Sequence, residues 1–489
     1  MWDGKTFKKR THTRKSKPVP AVLLKSLKDG REILVDVINM TGKREANLEC
    51  EAILEALRDV GFNITKIIAF IFDTTALNSG HWNGMIVQLQ LYIDHAVLQM
   101  ACRNHILELV CGGAASVVYG DTDSPYEPVF KNFAAIWNTI NHNNYSVFNT
   151  NDRRLLASQN ESLDFLQSWL KNAINIREDY KQLPVLELSI LFLGGTFPEE
   201  CRFTIKAPGA FHHARWMSKC IYTLQIALFK DQVADKVEFT ADCDFDKVWS
   251  LAAFLSIFYI KNWFTSPNIV DAAVNDLNLW NELTDVATLS GSRLRGLPTG
   301  FNEMSENSIE KLNNHLWYLT ERHIIFAFAS DKVPMSLKAK MWQKLQHYKS
   351  SDEPAALTGR GLVQMPAIRK STKLQDLVGP DSLQLFKIFL QFEILSSQNP
   401  RNWKNLEEYK MFQDFLDCFP AVNDACERVI GMTTDIEGRT SAPRSDEEMG
   451  YIVKLTHAYR SALRQRAKQT LNGKKLDTTT KKFLQTFRW

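Results

Sequence analysis

Two aspartates carry the chemistry this sequence suggests first. Asp73 closes the apolar run Ile67 to Phe72 and is followed by Thr74, Thr75, Asn78 and Gly80, small or turn-forming residues. A continuous apolar run reads as a strand buried on both faces, and open α/β sheets place their ligands at the carboxyl ends of such strands. The plainer reading of Asp73 is a turn or cap residue whose carboxylate bonds its own backbone. Asp3 stands in Trp2-Asp3-Gly4-Lys5, on the first expected strand, although a terminal Asp-Gly also makes turns. If that strand lies beside the one ending at Asp73, two carboxylates meet and repel unless a cation bridges them. Mg²⁺ suits the pair, since one or two carboxylates plus phosphate oxygens hold it.

Cys102 and His105 form a Cys-x2-His pair. A structural zinc site takes four ligands, and no second pair stands at matching spacing. The expectation is therefore that His105 hydrogen-bonds near the acids and Cys102 packs in the core. Asp94, Asp121 and Asp123 are reserve acids on an expected helix or loop. His212 and His213, beside Arg215, could contact phosphate or be ordinary exposed polar residues.

The elements that must position these residues follow from pattern. Trp2 to Phe7 fits a short strand, and Ala21 to Leu27 and Ile33 to Met40 are β-compatible runs flanking Asp29-Gly30, a two-residue hairpin signal. Leu48 to Val60 sets Ile53, Leu54, Leu57 and Val60 on one helical stripe, and Gly61 follows as a C-cap. The opening order is strand, strand, strand, helix, strand, with a further helix from about Trp82. Helical patterns then dominate, at Arg215 to Ala234, Phe245 to Ile260, Ser308 to Ala327, Met335 to Tyr348 and Leu383 to Ser396. Leu406 to Phe419, a helix opening at Asn423, and Tyr451 to Ala467 close the chain. Polar breaks at Ser350 to Gly361 and Gly438 to Asp446 read as loops.

At 489 residues, 45% hydrophobic and 23% charged, the chain is long enough for two or three packed units and has a globular composition. Its longest apolar run, Val248 to Ile260, is too short to cross a bilayer, so no membrane partner is expected. Eight scattered cysteines and an N-terminus without an apolar leader point to a reducing interior. The net charge of +4 divides into +6 over residues 1–17, +9 over 451–489 and −11 between. Two basic ends suit a polyanion, because phosphate neutralisation is the main sequence-independent source of nucleic-acid affinity. Solvated ends are the bland reading. Lys8, Lys9 and Arg10 open a basic run that suits DNA-backbone contact or nuclear import.

Three segments, in order, carry a family resemblance. Phe72-Asp73-Thr74-Thr75-Ala76-Leu77-Asn78-Ser79-Gly80, with Cys102-Arg103-Asn104-His105 after it, resembles the second catalytic aspartate and C-x2-H region of hAT-superfamily DNA transposases. His213-Ala214-Arg215-Trp216 resembles their Arg-Trp motif, and Asn423-Asp424-Ala425-Cys426-Glu427-Arg428-Val429-Ile430 the block that supplies their last glutamate. The resemblance covers about residues 1–120, the Arg-Trp neighbourhood and 400–435. It implies an RNase H-like mixed sheet, hence an α/β fold, interrupted by a large all-α insertion. The expected divisions are 1–120 and 401–450 for the core, 121–400 for the insertion, and 451–489 for a basic helix and tail.

The resemblance further implies that Asp3, Asp73 and Glu427 are catalytic acids holding Mg²⁺ or Mn²⁺, in a two-metal site whose cations lie about 4 Å apart. Pattern alone sets Glu427 beside a buried stripe of Cys426, Val429 and Ile430, and a first-turn glutamate favoured by the helix dipole is the bland reading. Arg215 and Trp216 would contact DNA, the indole stacking on an unpaired base for about 1–3 kcal/mol. The implied reaction is DNA strand cleavage, hairpin formation and strand transfer, in the nucleus, by a monomer or homo-oligomer. Family members carry a zinc-binding recognition domain ahead of the core, and no C-x2-C or H-x3-5-H stands upstream of Asp3. A fragment or a transposase-derived chain is therefore expected. A catalytically silent DNA-binding or protein-interaction protein is the alternative. A nuclease on RNA/DNA hybrids would share the core without explaining the insertion.

Overall fold

The computed structural model describes residues 1–8, 16–27, 30–38, 45–80, 82–93, 95, 97–120, 127–171, 182–197, 204–209, 216–237, 244–289, 296–349, 363–386, 392–430, 451–454 and 456–458. The side chains of 2–8, 16–19, 182, 216, 349, 384–386 and 392–393 lie outside that description.

The chain opens with an antiparallel sheet of β1 (Trp2–Lys8), β2 (Ser16–Lys25) and β3 (Glu32–Val37), in the order β1-β2-β3. Gly30 adopts φ 67 in the turn between β2 and β3, a left-handed conformation that a side chain resists. Helix α1 (Ala46–Asp59) buries Cys50, Ile53, Leu54 and Leu57, the stripe its sequence spacing sets, and Gly61 at φ 66 follows its end. Strands β4 (Ala69–Phe72) and β5 (Leu98–Ala101) pair in parallel, Phe72 opposite Ala101. Their crossover contains the short helices α2 (Ala76–Ser79) and α3 (Met85–Gln90), as parallel strands require a crossover. Backbone of β1 comes within 8 Å of β4, although the two strands belong to separately hydrogen-bonded sheets.

Among the described residues no strand follows Ala101, so the fold is mixed α/β and mostly helical. The helices are α4 (Arg103–Tyr119), α5 (Pro128–Ile136), α6 (Arg153–Lys171), α7 (Gln182–Phe192), α8 (Trp216–Leu228), α9 (Lys230–Val233), α10 (Phe245–Phe254) and α11 (Ile260–Thr265). They continue through α12 (Ala272–Ala287), α13 (Phe301–Asn313), α14 (Met335–Lys349), α15 (Pro380–Phe386), α16 (Phe392–Ser397), α17 (Glu407–Asp417) and α18 over 424–430. The apolar run from Val248 to Ile260 is buried throughout, bar the half-exposed Trp249, and winds as a π-turn from Leu255 to Tyr259. There the Ile257 carbonyl accepts from Ser162 at 2.7 Å. No described helix is long and apolar enough to cross a membrane.

One expected helix is corrected. The Ser308 to Ala327 pattern is the second half of α13, followed by separate 3-10 turns at Trp317–Leu319 and His323–Phe328. Apolar residues occur at helical spacing there, but Asn313 and Asn314 end the α-helix, and burial on every side removes the amphipathic signal. Strand β5 carries no sequence forecast, because four buried residues show no period.

Helix α18 returns to the start of the chain. Ala425, Cys426, Val429 and Ile430 pack with Ala21, Leu23, Leu34 and Val37 of the first sheet, joined by Val453. Ion pairs from Arg428 to Glu32 (3.8 Å) and from Lys454 to Asp36 (2.9 Å) rim that contact.

Candidate functional site

Asp73 follows directly on β4, buried to 4% exposure. Its Oδ1 accepts three local hydrogen bonds, from Thr75 N (2.9 Å), Thr75 Oγ1 (2.6 Å) and Asn78 Nδ2 (2.7 Å). That is the aspartate turn the Asp-Thr-Thr-x-x-Asn spacing permits. Among the described residues no donor reaches Oδ2, so the carboxylate is locked in orientation with one oxygen unused.

The end of β5 lies alongside. Cys102 N donates to Phe72 O at 2.7 Å, next to Asp73, and α4 starts one residue later. Each of the four residues from Cys102 to His105 then bonds a distant segment. The Cys102 sulfur accepts from Asn423 N at 3.4 Å, and Arg103 N donates to Ala421 O at 2.9 Å. The Arg103 guanidinium grips Asp276 of α12 through two bonds of 2.6 and 2.7 Å, both side chains buried, and lies 4.9 Å above the Tyr318 ring. Tyr318 in turn donates to Ala101 O at 2.9 Å. Asn104 donates to Asp424 at 2.8 Å and accepts from Ser266 at 2.5 Å. His105 Nε2 stands 3.5 Å from Glu427 Oε1, at 19% and 14% side-chain exposure.

The electrostatics follow from that packing. Burial pushes the Cys102 thiol up, with His105 opposing. For His105 burial opposes the charge, but Cys102, Glu108 and Glu427 outweigh it and hold the imidazole well above its ordinary value. A protonated His105 beside Glu427 makes this contact a charge-assisted pair.

The structure therefore brings Asp73, Cys102, His105 and Glu427 to one end of the β4–β5 pair. Asp3 lies on β1 opposite Ala21, and its side chain is outside the described residues. Trp216 opens α8 and Lys8 ends β1, their side chains likewise outside. Lys9, Arg10, Asp94, Asp121, Asp123, His212, His213 and Arg215 lie wholly outside the described residues. Among the described residues no group of three or more His, Cys, Asp or Glu side chains is placed to hold a metal ion.

Arg103, Asn104, Asp424, Asp276, Ser266 and Tyr318 take part without a role assigned from sequence. For Arg103, Asn104 and Asp424 the one signal is polarity where α4 is otherwise apolar and where the α18 segment turns inward.

A cavity of about 850 Å³ lies elsewhere, among the helices, over Phe148 and Trp249. Its lining arginines, Arg153 and Arg154, are matched by Asp152 and Asp246, and Arg154 already bonds Asp152. Convergent chemistry sits at the strand ends and not in that cavity.

No known family model matches this chain, and no curated protein matches it either.

Proposed function

We propose that the two ends of the chain build an RNase H-like core and that the protein is a hAT-like DNA transposase. It would cleave DNA strands, form hairpins and transfer strands through Asp3, Asp73 and Glu427. One observation supports the reading: Glu427, far along the chain, stands 3.5 Å from His105, three residues beyond Cys102, whose N–H bonds the Phe72 carbonyl next to Asp73. Acids gathered from remote positions at the carboxyl end of parallel strands are what such a site needs. Lys8, Lys9, Arg10, Arg215 and Trp216 belong to the proposal as DNA contacts, and the nucleus as its compartment.

The donor set fits a hard divalent cation in kind. Asp73 offers an oxygen that no donor among the described residues reaches, on a nearly buried carboxylate, and Glu427 a second carboxylate, both suited to Mg²⁺ or Mn²⁺. Once bound, such cations activate an attacking water or 3′-hydroxyl and stabilise the leaving oxygen. Asn78 and Thr75 fix the Asp73 carboxylate before substrate arrives, so orientation costs nothing at the moment of reaction. His105 fixes Glu427 and holds a proton at Nε2 that competes with a cation for the same carboxylate.

A second reading, a transposase-derived protein that binds DNA or a protein partner without cutting, is favoured by one detail. Three bonds from its own turn are what a purely structural aspartate also makes.

Mn²⁺-dependent nicking of supercoiled plasmid by the whole chain, against Asp73→Asn and Glu427→Gln, separates the two. The transposase reading expects nicking that both substitutions abolish. Nicking unchanged by either sinks the assignment, and salt-sensitive DNA binding without nicking supports the silent protein.

A further inference from the structure

Two side-chain rungs join α4 to α18. Asn104 Nδ2 donates to Asp424 Oδ1 at 2.8 Å, and one residue on, His105 Nε2 stands 3.5 Å from Glu427 Oε1. The first rung is the tighter, between residues 7% and 9% exposed, while the second is at the limit of hydrogen-bonding distance. Asp424 opens α18, and Glu427 lies a turn further along, on the side that residues three apart share. Pinning the start of α18 therefore decides where the Glu427 carboxylate stands more than its own loose contact with His105 does.

The pin has a second end. The Asn104 carbonyl accepts from Ser266 Oγ at 2.5 Å, and Ser266, fully buried, closes α11 of the helical region. Arg103 beside it grips Asp276 of α12, so the start of α4 is clamped to α11 and α12 on one side and to α18 on the other. An amide is what this junction needs: one planar group offers a donor to the buried carboxylate and an acceptor to the buried hydroxyl. Neither a carboxylate nor an apolar side chain of that size at 104 could satisfy both partners.

We infer that Asn104 is a positioning residue for Glu427, and that through Ser266 the helical region shares in placing that acid. Asn104 acts through the helix that presents the carboxylate, as groups bonded behind a metal ligand orient it. The consequence for a cation rests on the reading of Glu427 as its ligand; the placing of Glu427 beside His105 does not.

The test uses the full chain with Asn104→Leu, which keeps the shape of the side chain and removes both bonds. Two quantities are read: the His105–Glu427 separation in crystal structures of the metal-free parent and variant, and Mn²⁺ affinity from the free-ion electron paramagnetic resonance signal. Asn104→Leu is expected to move Glu427 out of reach of His105 and to weaken Mn²⁺ binding about tenfold. Ser266→Ala should act in the same direction more weakly, and it decides the matter if Asn104→Leu does not fold. Exchanging the pair, Asn104→Asp with Asp424→Asn, rebuilds both bonds with donor and acceptor reversed and should restore the parental affinity. Gly113→Ala, which strains α4 far from the junction, should leave affinity unchanged. Glu427 still beside His105 in Asn104→Leu, with parental Mn²⁺ affinity, overturns the inference, as does an equal loss of affinity in Gly113→Ala. Mn²⁺ binding untouched by Glu427→Gln, alongside a displaced Glu427 in Asn104→Leu, would remove the cation reading and leave the positioning in place. Affinity lost in Glu427→Gln and kept in Asn104→Leu would do the reverse.

Discussion

Two histidines, one partly and one fully buried, mark two different kinds of interior. His105, at the strand ends, faces Glu427 and is held well above the ordinary histidine range. His323 lies among the helices with its Nδ1 2.9 Å from Thr320 Oγ1, and burial, with Arg322 adding, pushes it down to about 3. Burial lowers both, and only the one with Cys102, Glu108 and Glu427 around it is held up. The contrast extends to the surroundings. Around His105 distant segments meet through charges and hydrogen bonds; α4 and α13 add close packing to theirs, Ser308 Oγ donating to Val110 O at 3.0 Å and Gly113 so near that a Cβ would lie 2.7 Å from Asn307 O. Polar contacts fix which residues face each other, and close packing fixes how near they come.

The largest test of this contrast breaks the Arg103 pair. Arg103→Met leaves Asp276 buried without a partner and is expected to cost about 3–5 kcal/mol in urea unfolding. Arg103→Met with Asp276→Leu should recover much of that, and equal losses in single and double variants would show that the charge pair is not what joins α4 to α12.

His323 tests the apolar side. The unfolded histidine takes a proton near pH 6.5 and the folded one only near 3, so stability falls as pH drops through that window. His323→Phe should flatten unfolding free energy against pH by about 2 kcal/mol between pH 6.5 and 5. Gly113→Ala should lose about 1–3 kcal/mol by forcing α4 from α13, read from the urea midpoint.

The smallest effect belongs to His105. Its contribution is complete below about pH 6.5 and fades as pH rises through its elevated folded value. His105→Gln should remove that alkaline fade and cost about 1 kcal/mol at pH 6. A variant with the parental pH profile would show that the Glu427 contact carries no charge.

Much of this arrangement was legible in the residues. The α1 stripe and the strand ending at Phe72 follow from local spacing; Gly30 turns the chain between β2 and β3 while Asp29 lies outside the described residues, and the first strand, expected in one sheet beside the fourth, comes within 8 Å of it but in a separate sheet. The residues allow Asp73 to be an aspartate turn or a site acid, and its geometry contains the turn. What the spacing does not encode is partnership across the chain. Nothing near Arg103 in sequence points to Asp276, and nothing near Asn104 points to Asp424 or Ser266, since those pairs exist only once the helices have packed. The β5 strand and the 3-10 turns after α13 escaped for the opposite reason: uniform burial erases the periodicity that reveals an element.

The most direct measurement of the central claim is Mn²⁺ binding by the whole chain, followed by the loss of the free-ion electron paramagnetic resonance signal. If Asp73 and Glu427 serve one cation site, Asp73→Asn and Glu427→Gln each weaken binding about tenfold or more, and the double variant is little worse than either. Binding that is untouched by one substitution, or losses that multiply in the double variant, would place the two acids at separate tasks and contradict the account.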